Sequence, residues 1–167
     1  MAQTATVISV TENLEADTGH LNRRVGYQLR RLAFLSNQLF VRLFSEEAIA
    51  PGQFSIFYLI SLNTGISQKM LAKVSGVDQS TLVPTLNYFE ESGWVSRVRS
   101  KPDRRITGLE LTSKGKAKIR RLIKLETSHE EMLTMALSSE ERELLLRLLG
   151  KLRTSVIDTS GGANGGT

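Results

Sequence analysis

The chain of 167 residues contains no cysteine. Disulfides, thiolate nucleophiles and thiol redox sensing are excluded in one step. Histidine is nearly as scarce, with His20 and His129 far apart, and there is no HExxH or other metal-spaced cluster and no glycine-rich phosphate loop. The carboxylate pairs Glu90-Glu91, Glu130-Glu131 and Glu140-Glu141 are sequence neighbours on expected helices, where adjacent side chains point apart. No catalytic residue, metal or cofactor is therefore expected. No apolar run approaches the roughly 20 residues of a membrane span, and the N-terminus MAQTATVISVTENLEADTG lacks the basic start and apolar block of a signal peptide. The expected location is the cytoplasm. What the chain does have is positive charge: 22 Lys and Arg against 17 Asp and Glu, a net charge of +5 and a pI of about 9.7. That balance favours a polyanionic partner.

The length supports one good core. Residues 1–17 are small, polar and weakly patterned and read as a flexible arm, and a glycine-rich tail over residues 157–167 has nothing to pack. Leu21, Val25, Leu29, Leu32, Leu35, Leu39 and Leu43 recur at helical steps and predict a long helix over residues 18–47. Arg23, Arg24, Arg30 and Arg31 lie off that line as a solvated face. Pro51 suits the first turn of a second helix, GQFSIFYLISL, which is apolar nearly all round and hence central. Ser67 caps a short helix expected to bury Met70, Leu71 and Val74, Gly76 stops it, and Asp78 caps the next. A short helix, a glycine turn and a capped second helix make a helix-turn-helix. Trp94 to Arg99 alternates as a strand, with Trp94, Ser96 and Val98 on one side, and ITGLEL returns beside it around a Pro102-Asp103 turn. A long helix follows from Thr112 or Ser113, and Ser138 with Glu141 forms a capping box before a last, leucine-rich helix.

The chemistry concentrates between Ser67 and Glu110. On the helix after Asp78, Leu82, Leu86 and Phe89 share the core side, so Ser80, Pro84 and Asn87 project oppositely, with Thr81 and Val83 at the edges. Gln79, Ser80 and Thr81 fill the first turn, the part that enters a major groove in helix-turn-helix proteins. Gln and Asn can each make two bonds to adenine, Ser and Thr are adaptable donors, and a Val methyl can meet a thymine methyl. Pro84 sits inside this helix at a cost of about 3 kcal/mol, so a local kink is expected. Arg97, Arg99, Lys101, Arg104 and Arg105 crowd the hairpin tip, opposed only by Asp103, as a group suited to a minor groove or its phosphates. Lys69, Lys73 and Lys114 can add phosphate contacts.

The order of these elements and the strings PGQFSIFYLI, GISQKMLAKVSGVDQSTLVPTL, FEESGWVSR, the PDRR turn, LELTSKGK and SSEERELLLRLLGKL resemble the MarR family of winged-helix transcription regulators over residues 21–152. The turn followed by L-T-x-x-G is the most specific part. The resemblance implies a mostly α fold, a winged helix-turn-helix with a small two- to three-stranded antiparallel β-wing. Residues 18–50 and 113–156 would supply dimerisation helices around a DNA-binding lobe at 51–112. It implies a homodimer on a palindromic DNA operator, with Gln79 to Thr81, Val83 and Asn87 in the major groove. Arg104 and Arg105 would approach the minor groove or its phosphates, with Asp103 steering Arg105. Family members often carry a basic or polar residue where this chain has Pro84, so base readout from that position is not expected. The family commonly answers small aromatic acids or phenols bound between the dimer helices and the lobe. His20, Arg42, Phe54, Phe57 and Tyr58 are the candidates for such an effector site here. The competing reading is a protein-protein interaction module built on the same fold.

Overall fold

A computed structural model of the protein describes residues 19–99 and 107–161. The expected arm at 1–17, the wing-tip residues Lys101, Pro102, Asp103, Arg104 and Arg105, and the end of the glycine-rich tail lie outside the described residues. The chain divides into two compact units, Met1–Ser36 and Asn37–Thr167.

In the first unit, the single helix expected from residue 18 is instead a 3-10 turn, Gly19–Arg23, followed after Arg24 by the start of helix α1, Val25–Leu43. Gly19 enters with φ +52°, a left-handed conformation that a continuous helix does not accommodate. Leu21, Val25, Leu29, Leu32, Phe34 and Leu35 are all exposed, so this apolar surface is uncovered in the single chain.

The second unit holds the core. Phe40 at the end of α1 and Phe44 just beyond it stack their rings at 3.7 Å. The helix stops at Leu43, earlier than the periodicity predicts, because residues 44–48 turn and Ala48 stands at φ +50°. Helix α2, Pro51–Leu62, starts with its proline at the first position and with the Ala50 N–H donating to the Gln53 side chain at 3.0 Å. It buries Phe54, Ile56, Phe57 and Ile60, the central role its composition predicts. Strand β1, Ile66–Ser67, leads into α3, Gln68–Ser75, where Ser67 Oγ accepts from the Met70 N–H and Gly76 closes the helix at φ +69°. Only Leu71 of this helix is fully buried; Met70 and Val74 are half exposed, at 50% and 54%. A helix of eight residues has room for a single core line, and Met70 and Val74, four apart, share another face.

Helix α4, Gln79–Glu91, is capped by Asp78 and runs unbroken through Pro84. Strands β2, Val95–Arg99, and β3, Thr107–Leu111, pair antiparallel from Val95↔Leu111 to Arg99↔Thr107, and β1 adds to the other edge of β3 through Ile66↔Leu109. Trp94 precedes the strand, so the alternation does not reach it, and Trp94 and Val95 are both buried. The rings of Phe57, Phe89 and Trp94 meet at centroid distances of 5.1 to 6.0 Å. Helix α5, Ser113–Thr134, and α6, Ser139–Gly161, complete the unit. The expected capping box forms: the Ser138 N–H donates to the Glu141 carboxylate at 2.8 Å and the Glu141 N–H to Ser138 Oγ at 3.3 Å. The tail expected from residue 157 is still helical to Gly161, since Val156 and Ile157 prolong the apolar pattern of α6.

Candidate nucleic-acid interface

Helix α4 is held from behind and open in front. Leu82, Leu86 and Phe89 are fully buried, and Thr85, buried beside them, returns its hydroxyl to the Thr81 carbonyl at 3.0 Å. Gln79, Ser80, Thr81, Val83, Pro84 and Asn87 are exposed, the face that the 100° spacing predicts. The cap differentiates them. Asp78 Oδ1 accepts from the Thr81 N–H at 2.9 Å and also from the Ser80 hydroxyl. The Ser80 hydroxyl and the Thr81 N–H hold the Asp78 carboxyl below its ordinary range, so it is ionised at neutral pH. With the Ser80 proton committed to the cap, Ser80 faces outward mainly as an acceptor, while the exposed amides of Gln79 and Asn87 each present both a donor and an acceptor.

The wing is rooted by the same helix. Arg97 Nε donates to Glu90 Oε1 at 2.7 Å, a pairing the charge pattern does not reveal, so Arg97 staples β2 to α4 rather than standing as a free cation. Arg99 ends the β2–β3 ladder opposite Thr107, and Lys101, Arg104 and Arg105 fall in the connection outside the described residues. Lys69 and Lys73 are exposed on α3, whereas Lys114 donates to the Ser92 carbonyl at 2.8 Å.

The L-T-x-x-G string has a structural reason that only the fold displays. Thr112 Oγ1 accepts from the Gly115 N–H at 3.0 Å, capping α5, and donates to the Gly93 carbonyl at 2.6 Å. Gly115 lies so close to Trp94 that a Cβ there would stand 2.0 Å from its carbonyl oxygen. Glycine is demanded by that close approach, which fixes the wing against α5.

Among the candidate effector residues of the second unit, Phe54 and Tyr58 are in ring contact. Phe54 is buried beside Phe40 and Phe44 and stacks on the 37% exposed Tyr58 at 5.9 Å. Phe57 is wholly buried against Phe89 and Trp94 and has no surface to offer a ligand. Arg42 is exposed near the end of α1, and His20 is exposed in the first unit. A cavity of about 270 Å³ in the second unit is lined by Ile60, Ser61, Thr64, Glu110, Leu111, Lys116, Ile119 and Arg120, and by none of the five. Among the described residues there is no group of three or more His, Cys, Asp or Glu able to hold a metal ion, and no helix is long and apolar enough to cross a membrane.

The MarR family model matches residues 49–107, the stretch from the start of α2 to the wing. A transcriptional regulatory protein for the hcr operon in Thauera aromatica is 31% identical over 135 residues, covering 80% of this chain and 81% of that protein. The chain belongs to the MarR family. Among solved structures, the transcriptional repressor CouR bound to a 23-mer DNA duplex superposes with a TM-score of 0.76 at 33% identity, covering 83% of this chain and 98% of that one. CouR bound to p-coumaroyl-CoA superposes with a TM-score of 0.73 at 32% identity, covering 82% and 96%. The fold is the winged helix of MarR proteins, and the protein is a DNA-binding MarR-family transcriptional regulator.

Proposed function

We propose that this MarR regulator binds a palindromic operator as a homodimer, represses transcription there, and is released by a small aromatic or phenolic ligand, free or as a thioester. The observation that carries the DNA reading is α4, whose face of Gln79, Ser80, Thr81, Val83 and Asn87 is open while Leu82, Leu86 and Phe89 lock its back. Gln79 and Asn87 read base edges, and the wing cations, Lys101, Arg104 and Arg105 with Arg99, grip the neighbouring groove. Two reading helices spaced by one duplex turn, roughly 34 Å, match a two-fold symmetric site.

The homodimer rests on apolar surface left uncovered in each unit: the leucines of residues 21–35, and on α6 Leu144, Leu145, Leu146, Leu148, Leu152, Val156 and Ile157. Residues 18–50 and 113–156 supply that dimer and residues 51–112 the DNA lobe. CouR structures with DNA and with p-coumaroyl-CoA support a duplex and an aromatic ligand as the partners. Tyr58 and Arg42, both exposed in the second unit, and Phe54, which stacks on Tyr58, are the residues we assign to the ligand. The protein works by binding rather than by catalysis.

Fluorescence anisotropy on DNA from the gene's own upstream region and on a scrambled duplex tests this reading, with hydroxycinnamate and its CoA thioester then titrated in. Preference for the upstream duplex, reversed by either compound, is the expected result. Equal and weak binding to both duplexes, together with recovery of a partner protein, would replace it with the interaction-module reading.

A further inference from the structure

The reading helix is tied to α5 through the turn at residues 44–49, by a circuit that neither the capping pattern nor the charge pattern displays. Glu47 is only 3% exposed, although it lies in a turn. Its Oε2 takes Lys118 Nζ at 2.7 Å, its main-chain carbonyl takes the same ammonium at 2.7 Å, and its Oε1 pairs with Arg121 Nε. The next residue, Ala48, stands at φ +50°, a left-handed conformation that an alanine holds only when its surroundings impose it. Its carbonyl accepts the Tyr88 hydroxyl at 2.6 Å, and Tyr88 belongs to α4. Trp94 closes the loop: its ring meets Tyr88 edge-on at 5.5 Å and carries Lys118 Nζ at 4.9 Å from a ring centroid.

Accepting the DNA reading above, we propose that Tyr88 and Glu47 are positioning residues for operator recognition, setting the orientation of α4 from α5. The apolar anchors Leu82, Leu86 and Phe89 hold the helix against the core without directional preference. The Tyr88 bond is directional and anchors the helix nine residues beyond Gln79, roughly 13 Å along its axis, so a small rotation there displaces the reading turn. The buried carboxylate is suited to this role. Desolvation offsets most of the Coulomb gain of such an ion pair, so its contribution is geometric more than energetic.

The test uses the full-length protein with Tyr88→Phe, Glu47→Gln and the double variant. Tyr88→Phe removes one hydroxyl and keeps the ring, and Glu47→Gln keeps the shape and removes the charge. Operator affinity should fall by about three- to tenfold in each, through loss of one directional bond at Tyr88 and of the carboxylate that ties the turn to Lys118 and Arg121 at Glu47, while binding to a scrambled duplex and the slope of log K against log salt stay at wild-type values. The slope is the discriminating readout, because neither substitution removes a cation that neutralises phosphate. The double variant should lose much less than the product of the single losses, since both act through one circuit. Folded variants that bind the operator within twofold of wild type, or that lose affinity for both duplexes with a shallower slope, would overturn the proposal. If the wild type itself fails to discriminate the duplexes, the DNA reading has failed instead. Trp94, the one tryptophan of the chain, then still reports on the circuit: coupled emission changes in the variants sustain it, and additive or absent changes end it.

Discussion

Adding one methyl group at Gly115 tests the packing that fixes the wing against α5. The Cβ of Gly115→Ala would lie 2.0 Å from the Trp94 carbonyl oxygen and 2.9 Å from its carbon. Both are backbone atoms, so no side chain can swing aside, and the two segments must part by roughly an ångström to restore ordinary separations. The displaced carbonyl is the acceptor of the Thr112 N–H at 3.0 Å, which joins the start of β2 to the end of β3. Overpacking costs about 1–3 kcal/mol, and a weakened hydrogen bond adds about 0.5–1.5 kcal/mol. The better helix propensity of alanine returns at most about 1 kcal/mol. The net loss is about 0.5–3.5 kcal/mol and centres near about 2 kcal/mol, which is equivalent to a Tm decrease of roughly 4–8 °C for a chain of this size. Thermal unfolding followed by circular dichroism at fixed protomer concentration measures it. Gly52→Ala, where an added Cβ meets nothing within 4 Å, is the control and should be neutral or slightly stabilising. A Gly115→Ala protein as stable as wild type would refute the close-approach reasoning.

The caps and the exposed leucines give two more tests. The Asp78 carboxyl is held below its ordinary value of 3.8 in the folded state, so its cap contributes fully above the unfolded-state value and is lost as pH falls through the lower folded value. The stability difference between wild type and Asp78→Asn should therefore be flat from about pH 5 upward and shrink on acidification below about pH 4; urea melts across that range measure it, and a difference that grows toward acid would contradict the assignment. On α6, Leu144, Leu148 and Leu152 are 44%, 48% and 42% exposed in the single chain. Leu148→Glu should give a monomer by sedimentation velocity with operator affinity lost, whereas a variant that stays dimeric would place the interface elsewhere.

What is legible in the sequence is local. Ser67, Gly76, Asp78 and the Ser138–Glu141 box each act within four residues, and each forms the expected cap. The buried line Leu82, Leu86 and Phe89 follows from helical spacing alone. Periodicity identifies apolar residues without naming what covers them, which is why the spacing assigns Met70 and Val74 to the core although they lie half exposed. Charge is the least legible. Arg97 reads as one cation of a basic hairpin, and its pairing with Glu90 is visible only in the fold. Glu47 is separated by 71 residues from Lys118 and has no local signature at all. Gly115 belongs to a recognisable string, but its cause, the Trp94 carbonyl, is visible only in the fold.

In the proposed function this regulator reads its own operator through α4 and grips it through the wing. The most direct measurement is the salt dependence of anisotropy on the upstream duplex, for wild type and for Arg104→Ala/Arg105→Ala. Tight wild-type binding with a steep slope is predicted, and the slope should be shallower in the variant by about one unit for each phosphate that is no longer neutralised. Weak binding with the same shallow slope in both proteins would contradict it.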